Sequence, residues 1–181
     1  MAIVPIQLYG DKILTEKSKN VKKVDDELIV KIKNMFDTMR NANGIGLAAN
    51  QVGYSESIFV IDVTPVEGYE KIKPIVAINP QIVLESDETV FMEEGCLSLP
   101  DLRADVERPE KIKIRFIDTD ENEVELEAED LYARVILHEY DHLLGKTFPD
   151  RLEYKIRKKL QKELRLITER NLDIDYPVTE K

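Results

Sequence analysis

Cysteine occurs once in the 181 residues, at Cys96, so no internal disulfide can form and a lone thiol is left whose purpose must be explained. Long apolar runs are missing too. Ile58-Phe59-Val60-Ile61 and Pro74-Ile75-Val76-Ala77-Ile78 fall far short of the roughly 18 residues that a spanning helix requires, so no membrane span is expected. The N-terminal Met1-Ala2-Ile3-Val4-Pro5 has no basic region followed by a long apolar one, no Arg/Ser-rich lead and no glycine at position 2, which reads as a chain of the cytoplasm. Positive charge is in deficit, with a formal net charge of −10. That balance disfavours unspecific attraction to nucleic acid or anionic membrane, and no DNA partner is expected. There is no internal repeat and no low-complexity tract.

At this length, with 43% hydrophobic residues, the chain suits one domain with a real core. That domain is read as residues 1–170, followed by an acidic, proline-containing tail at 171–181 that is expected to be mobile. Val4 to Tyr9 alternates loosely, as an edge strand would. Asp25 or Asp26 offers an N-cap, after which Leu28, Ile32, Met35, Phe36 and Met39 recur at helical spacing up to Asn41-Ala42-Asn43-Gly44. The segment from Gly44 to Gly53 is dense in Gly and Ala, which permits close backbone approach to another element or to a ligand. It lacks the pattern of a phosphate loop. Ile58–Val63, Ile72–Ile78 and Gln81–Glu85 have strand composition, with breaks at Thr64-Pro65, Glu67-Gly68 and Asn79-Pro80. Lys111–Ile117 and Val124–Glu127 read as a hairpin with one wet face. Arg151–Arg170 reads as a last helix carrying eight Lys/Arg against three Glu, about +5 in a chain that is −15 elsewhere. It is either a solvated face or a docking surface for something anionic, such as RNA.

Both histidines of the chain lie in His138-Glu139-Tyr140-Asp141-His142. Leu131, Val135, His138 and His142 share one helical stripe, so two imidazoles one turn apart can face one metal ion, with Glu139 close enough to handle a proton. A hydrolytic site needs a third protein ligand and an open position. A further histidine three residues beyond Gly145 is excluded, because position 148 is Phe148. Glu163 is at a conceivable distance downstream, as in an HExxH peptidase, but lies among basic residues. Cys96 is the remaining source. Two imidazoles and a carboxylate on an otherwise apolar stripe are costly to bury without a metal. A structural metal would need a fourth ligand that the chain does not offer.

Three segments together resemble the peptide deformylase family: Gly44-Ile45-Gly46-Leu47-Ala48-Ala49-Asn50-Gln51, Glu94-Gly95-Cys96-Leu97-Ser98, and the HEYDH pentapeptide. They stand in the family's order and spacing. One departure is Leu137, where the family usually has Gln before the first histidine; an effect on packing or metal tuning is expected rather than loss of chemistry. The resemblance implies an α+β fold, with antiparallel sheets packed around the HExxH helix, an N-terminal helix and a long C-terminal helix. It implies hydrolysis of the N-formyl group from formyl-methionyl nascent polypeptides, with release of formate. Cys96, His138 and His142 would hold one divalent metal, Fe²⁺ natively, with Zn²⁺, Ni²⁺ or Co²⁺ able to substitute. Glu139 would move the proton, while the Gln51 amide and the Leu97 backbone N–H would stabilise the developing oxyanion. By the same resemblance, Ile45, Met92, Leu131 and Val135 would surround the methionine, the Ile45/Gly46 backbone would come close to the substrate peptide, and Glu94 and Arg103 would lie near it. The contrasting readings are a deformylase-like protein that binds ribosomal RNA or formylated peptide without turnover, and an HExxH peptidase.

Overall fold

The computed structural model describes residues 2–181 and has an α+β architecture. Seven strands form two antiparallel sheets: β1 (Gly46–Ala48), β2 (Ile58–Ile61), β3 (Ile75–Glu85), β6 (Lys111–Ile117) and β7 (Glu123–Glu129) in that spatial order, and a separate hairpin of β4 (Thr89–Cys96) and β5 (Leu99–Pro109). Among the described residues no helix is long and apolar enough to cross a membrane.

The unbroken apolar run of β2 has a direct cause. Phe59 and Ile61 point to a core shared with helix α2 (Asp130–Leu143), whereas Ile58 and Val60 point to a second core under helix α1 (Asp26–Asn41). A strand covered on both faces has no wet side and loses its alternation. The outer hairpin of β6 and β7 keeps alternation, with Ile112, Ile114 and Phe116 buried. A third core joins Leu99, Leu102 and Val106 of β5 to Phe148, Leu164 and Ile167.

Helix α1 starts where expected: the Asp25 side chain accepts from the Leu28 N–H at 3.0 Å. It ends as Asn43 turns left-handed (φ 54°), a conformation that Asn tolerates. Helix α2 is buried on nearly every side, including the ionisable Arg134, His138, Glu139, Asp141 and His142.

Three expectations are corrected. Residues 75–78 of the first expected strand and Gln81–Glu85 belong to one strand, β3, which begins at Ile75. Asn79-Pro80 sits at its bulge, where Asn79 is left-handed and its side-chain amide exchanges two hydrogen bonds with the Val21 backbone, at 2.8 and 2.9 Å. A bulge needs no ladder N–H from proline. The long C-terminal helix is two short ones, α3 (Tyr154–Lys159) and α4 (Gln161–Thr168), after a 3₁₀ turn over Phe148–Arg151. Helix α3 buries no residue, and without packing only weak local propensity holds a helix together. Val4–Tyr9 forms one parallel bridge, Ile6 to Val178, rather than a strand. The partner in that bridge belongs to the segment 171–181: Ile6 N donates to Pro177 O at 2.9 Å and Thr179 N to Ile6 O at 3.0 Å.

Candidate active site

The site lies where α2 meets the inner end of the β4–β5 hairpin and the turn that follows β1. Helix α2 supplies His138, Glu139 and His142, β4 supplies Glu94 and Cys96, and a 3₁₀ turn over Ala49–Val52 supplies Asn50 and Gln51. Asn50 bolts that turn to the helix, its Nδ2 donating to the His142 carbonyl at 2.5 Å. A cleft of about 600 Å³ opens over these groups, between Gly44–Gly46, Leu97–Arg103, α2 and residues 173–176.

One ligand atom each from Cys96, His138 and His142 falls within 4.8 Å of the others, and Cys96 Sγ is 3.2 Å from His142 Nε2. His138 Nδ1 is 2.8 Å from Glu94 Oε2, which leaves Nε2 for an ion and fixes the ring as a carboxylate commonly does for a metal-binding imidazole. Burial holds His142 well below its ordinary pKa, with His138 adding to the effect, so it presents the neutral form that coordinates metals. Burial also works against charge on His138, but its bonds to Cys96 and Glu94 outweigh this and raise its pKa; binding a metal there releases a proton. A soft thiolate and two imidazoles in one such cluster fit a single divalent ion.

Glu139 is buried, and its Oε2 has no hydrogen-bond partner among the described residues. Burial pushes its carboxyl up to about 7, the range in which a carboxylate can both take and return a proton at neutral pH. Gly46 makes room for it: a Cβ there would lie only 2.9 Å from Glu139 Cδ and 3.0 Å from Cγ. Gln51 is oriented by the same turn. Its Oε1 accepts from Ala48 N at 2.8 Å, which aims Nε2 at Ser98 Oγ (3.1 Å) and Cys96 Sγ (3.4 Å).

Ile45, Gly46, Leu97, Arg103, Leu131 and Val135 line the cleft with these groups. Two other expected substrate contacts differ. Met92 is not part of the cleft lining; two residues before Glu94, it lies on β4 beyond the ligand-bearing end. Glu94 reaches the cleft, but its carboxylate is already engaged. Oε1 accepts from Arg108 Nε (2.6 Å) and Arg134 Nη1 (2.8 Å), and Oε2 from Arg108 Nη2 (2.9 Å) in addition to its contact with His138. That contact holds the His138 ring in place. Glu163 is exposed on α4 and outside the ligand cluster. Leu137 is buried in the core between α2 and the sheet, away from the ligand-bearing stripe.

Several site residues were not anticipated. Arg108 donates to Glu94 and, through Nη1, to Asp141 Oδ2 at 2.6 Å, and Arg151 closes the same network on Asp141. Arg134 also ties the hairpin to α2 through the Val90 and Val106 carbonyls, each at 2.7 Å. Its place one turn before His138 was the available signal: a charge on a stripe that buries its neighbours. Tyr176, from the C-terminal segment, donates to the Leu97 carbonyl at 2.7 Å.

Comparison with known proteins agrees with this geometry. The family model described as polypeptide deformylase matches residues 3–158. A peptide deformylase of Chlorobium phaeobacteroides is 47% identical over 176 residues, covering 97% of this chain and 95% of the relative. A crystal structure of the Legionella pneumophila peptide deformylase superposes with a TM-score of 0.85 at 36% identity, covering 94% of this chain and 98% of the other. A plant peptide deformylase superposes with a TM-score of 0.87 at 35% identity, covering 94% and 92%. With a thiol and two histidines gathered around a buried glutamate, and with likeness along nearly the whole length, this chain belongs to the peptide deformylase family.

Proposed function

We propose that this metal-dependent deformylase removes the formyl group from the N-terminal formyl-methionine of nascent polypeptides, with Cys96, His138 and His142 holding the metal. The observation that carries this reading is the unpartnered, buried Oε2 of Glu139, a residue that lines the cleft together with Cys96 and His138. A divalent ion in that cluster would supply Lewis-acid activation of water for attack on the formyl carbon. Fe²⁺ is the proposed native ion, with Zn²⁺, Ni²⁺ or Co²⁺ able to replace it, since the donor set suits them all.

Glu139 takes the proton of the attacking water and returns it to the leaving amine, a role suited to a carboxyl near 7. As the formyl carbon becomes tetrahedral, its oxygen gains charge, and the Gln51 amide and the Leu97 N–H are proposed to meet it. One such donor is worth on the order of 3 kcal/mol. The Gln51 amide nitrogen already faces Cys96 Sγ, so it needs no reorientation. β1 pairs with β2 alone among the described strands; its outer side, where Gly46 carries no side chain, supports close approach of a peptide. Ile45, Leu131 and Val135 offer apolar surface for the methionine, and Arg103 stands at the rim.

The basic face of α3 and α4 is proposed to rest on an anionic surface such as ribosomal RNA. Arg157, Lys158 and Arg165 surround a shallow depression beside Tyr9 and Tyr154 there. Association that weakens steeply with salt would support this contact, and salt-insensitive association would count against it.

Product analysis separates the proposed reaction from peptidase action. Incubating a formyl-Met peptide with the metal-loaded protein should yield formate and the intact deformylated peptide. Cleavage at an internal peptide bond, or no product, would overturn the reading.

A further inference from the structure

The segment from Leu172 to Val178 alternates strictly: Leu172, Ile174, Tyr176 and Val178 are half-buried, and Asp173, Asp175 and Pro177 are exposed. Three of the inner side chains pack on the core that holds the β4–β5 hairpin. The segment is fastened at both ends. Arg170 Nη2 donates to Asp11 Oδ1 at 2.6 Å and Arg170 Nε to the Thr179 carbonyl at 3.1 Å, while Thr179 Oγ1 donates to Asp11 Oδ2 at 2.9 Å. In between, Tyr176 holds the Leu97 carbonyl. Burial, followed by the charges of Cys96, Asp101 and Asp175, keeps the Tyr176 phenol well above its ordinary pKa.

The segment thereby becomes one wall of the cleft, with Asp173, Ile174, Asp175 and Tyr176 lining it. The cleft is marked as a ligand site independently, by the buried unpartnered Oε2 of Glu139. Apart from His138 and Glu139, its charged lining sorts into three groups. Glu94 and Arg134 neutralise each other below the floor, and Glu93 and Arg103 face each other at 3.6 Å on the rim. Asp101, Asp173 and Asp175 remain, in no ion pair among the described residues. With the formyl end at the metal ligands and the methionine against Leu131 and Val135, the residues that follow are the ones left to meet this wall.

We infer, building on the deformylase reading above, that the C-terminal segment determines specificity: Asp173 and Asp175, with Asp101, favour nascent chains carrying a basic side chain just after the methionine. Each exposed carboxylate–cation contact changes an equilibrium by a factor of roughly 1.5–5, so two or three of them give about a five- to tenfold preference at low salt. Screening removes most of it at high salt, because these groups are open to solvent.

The test compares kcat/KM for three sets of formyl-Met peptides carrying Lys, Gln or Glu at the positions after methionine. It uses the metal-loaded wild type and the Asp173→Asn/Asp175→Asn variant, at low and high salt. In the wild type at low salt, Lys peptides should exceed Glu peptides by about five- to tenfold. The ratio should fall toward one in high salt and in the variant, with the Gln peptides unchanged throughout. Equal rates for Lys and Glu peptides in the wild type would overturn the inference, as would a preference that survives the double substitution. Failure to release formate from the Gln peptides would instead sink the deformylase reading, and the charge preference would then be decided by the affinities of the same peptides for the same two proteins.

Discussion

The position of the Glu139 carboxyl depends on what is missing beside it. A methyl group on Gly46 would press on the Glu139 carboxyl, so Gly46→Ala should lower kcat by about a hundredfold, the cost of a misplacement near 1 Å. Metal content should not change, since Gly46 touches no ligand; measuring both on one preparation checks the expectation. Tyr176 permits a similarly local substitution. Tyr176→Phe removes the hydrogen bond to the Leu97 carbonyl and keeps the ring. A kcat several-fold lower with an unchanged KM is expected if that bond positions the Leu97 N–H, whereas unchanged kinetics would leave Tyr176 a packing residue only. At this scale the sequence was highly legible where chemistry demands particular residue types. The ligand trio and Glu139 stand out because imidazoles and a thiol on apolar stripes have few other uses. Glu94 was harder. A carboxylate in a strand next to a ligand reads equally as a substrate contact or as a support for histidine, and only its distances to Arg108, Arg134 and His138 separate the two.

Elements in this molecule are tied together by buried charges rather than by packing alone. Arg108 on β5 bridges Glu94 on β4 to Asp141 on α2, and it is 3% exposed. Truncating one partner of such a group leaves uncompensated buried charge, at a cost of about 3–5 kcal/mol, so Arg108→Ala should be destabilised by that order in urea unfolding. The pair between Arg40 on α1 and Asp62 after β2 acts through pH instead. Burial raises the pKa of Asp62, but its bonds to Thr64 and Arg40 outweigh this and lower it below its ordinary value. A carboxylate depressed in the folded state adds stability above its unfolded pKa and loses it as pH falls through the folded one. Asp62→Asn should therefore be less stable than wild type at pH 7, with the gap closing as pH falls through the acid range in which the folded-state carboxylate takes up its proton. Helices α1 and α2 and the β6–β7 hairpin were legible because each has one continuous apolar face. Strand β5 was not: Arg103 and Arg108 interrupt its pattern, and Arg108 is buried only because two carboxylates from other elements meet it. Continuity of the last helix was over-read from spacing, since Ile156 and Leu160 continue the stripe while α3 buries none of its residues.

The molecule as a whole closes on itself through its C-terminus. Composition alone marks 171–181 as solvated, because Asp173, Asp175, Pro177 and Glu180 outweigh its apolar residues in any average. The period-two order of Leu172, Ile174, Tyr176 and Val178 was the readable signal, and it predicts an extended segment with one buried side. Removing residues 172–181 should raise KM for peptides longer than formyl-Met itself and lower thermal stability, leaving metal content intact; an unchanged KM would place the segment outside the working cleft. The central claim, however, is that one chain brings a metal trio and a single buried carboxylate together to release formate. The most direct measurement purifies wild type and Glu139→Ala without oxygen, because iron beside a thiolate is open to oxidative loss. Metal content and formate release from a formyl-Met peptide are then determined on the same samples. One metal per chain in both proteins, with formate released by the wild type alone, is the expected result. Formate released equally by both, or by neither when fully loaded with metal, would contradict it.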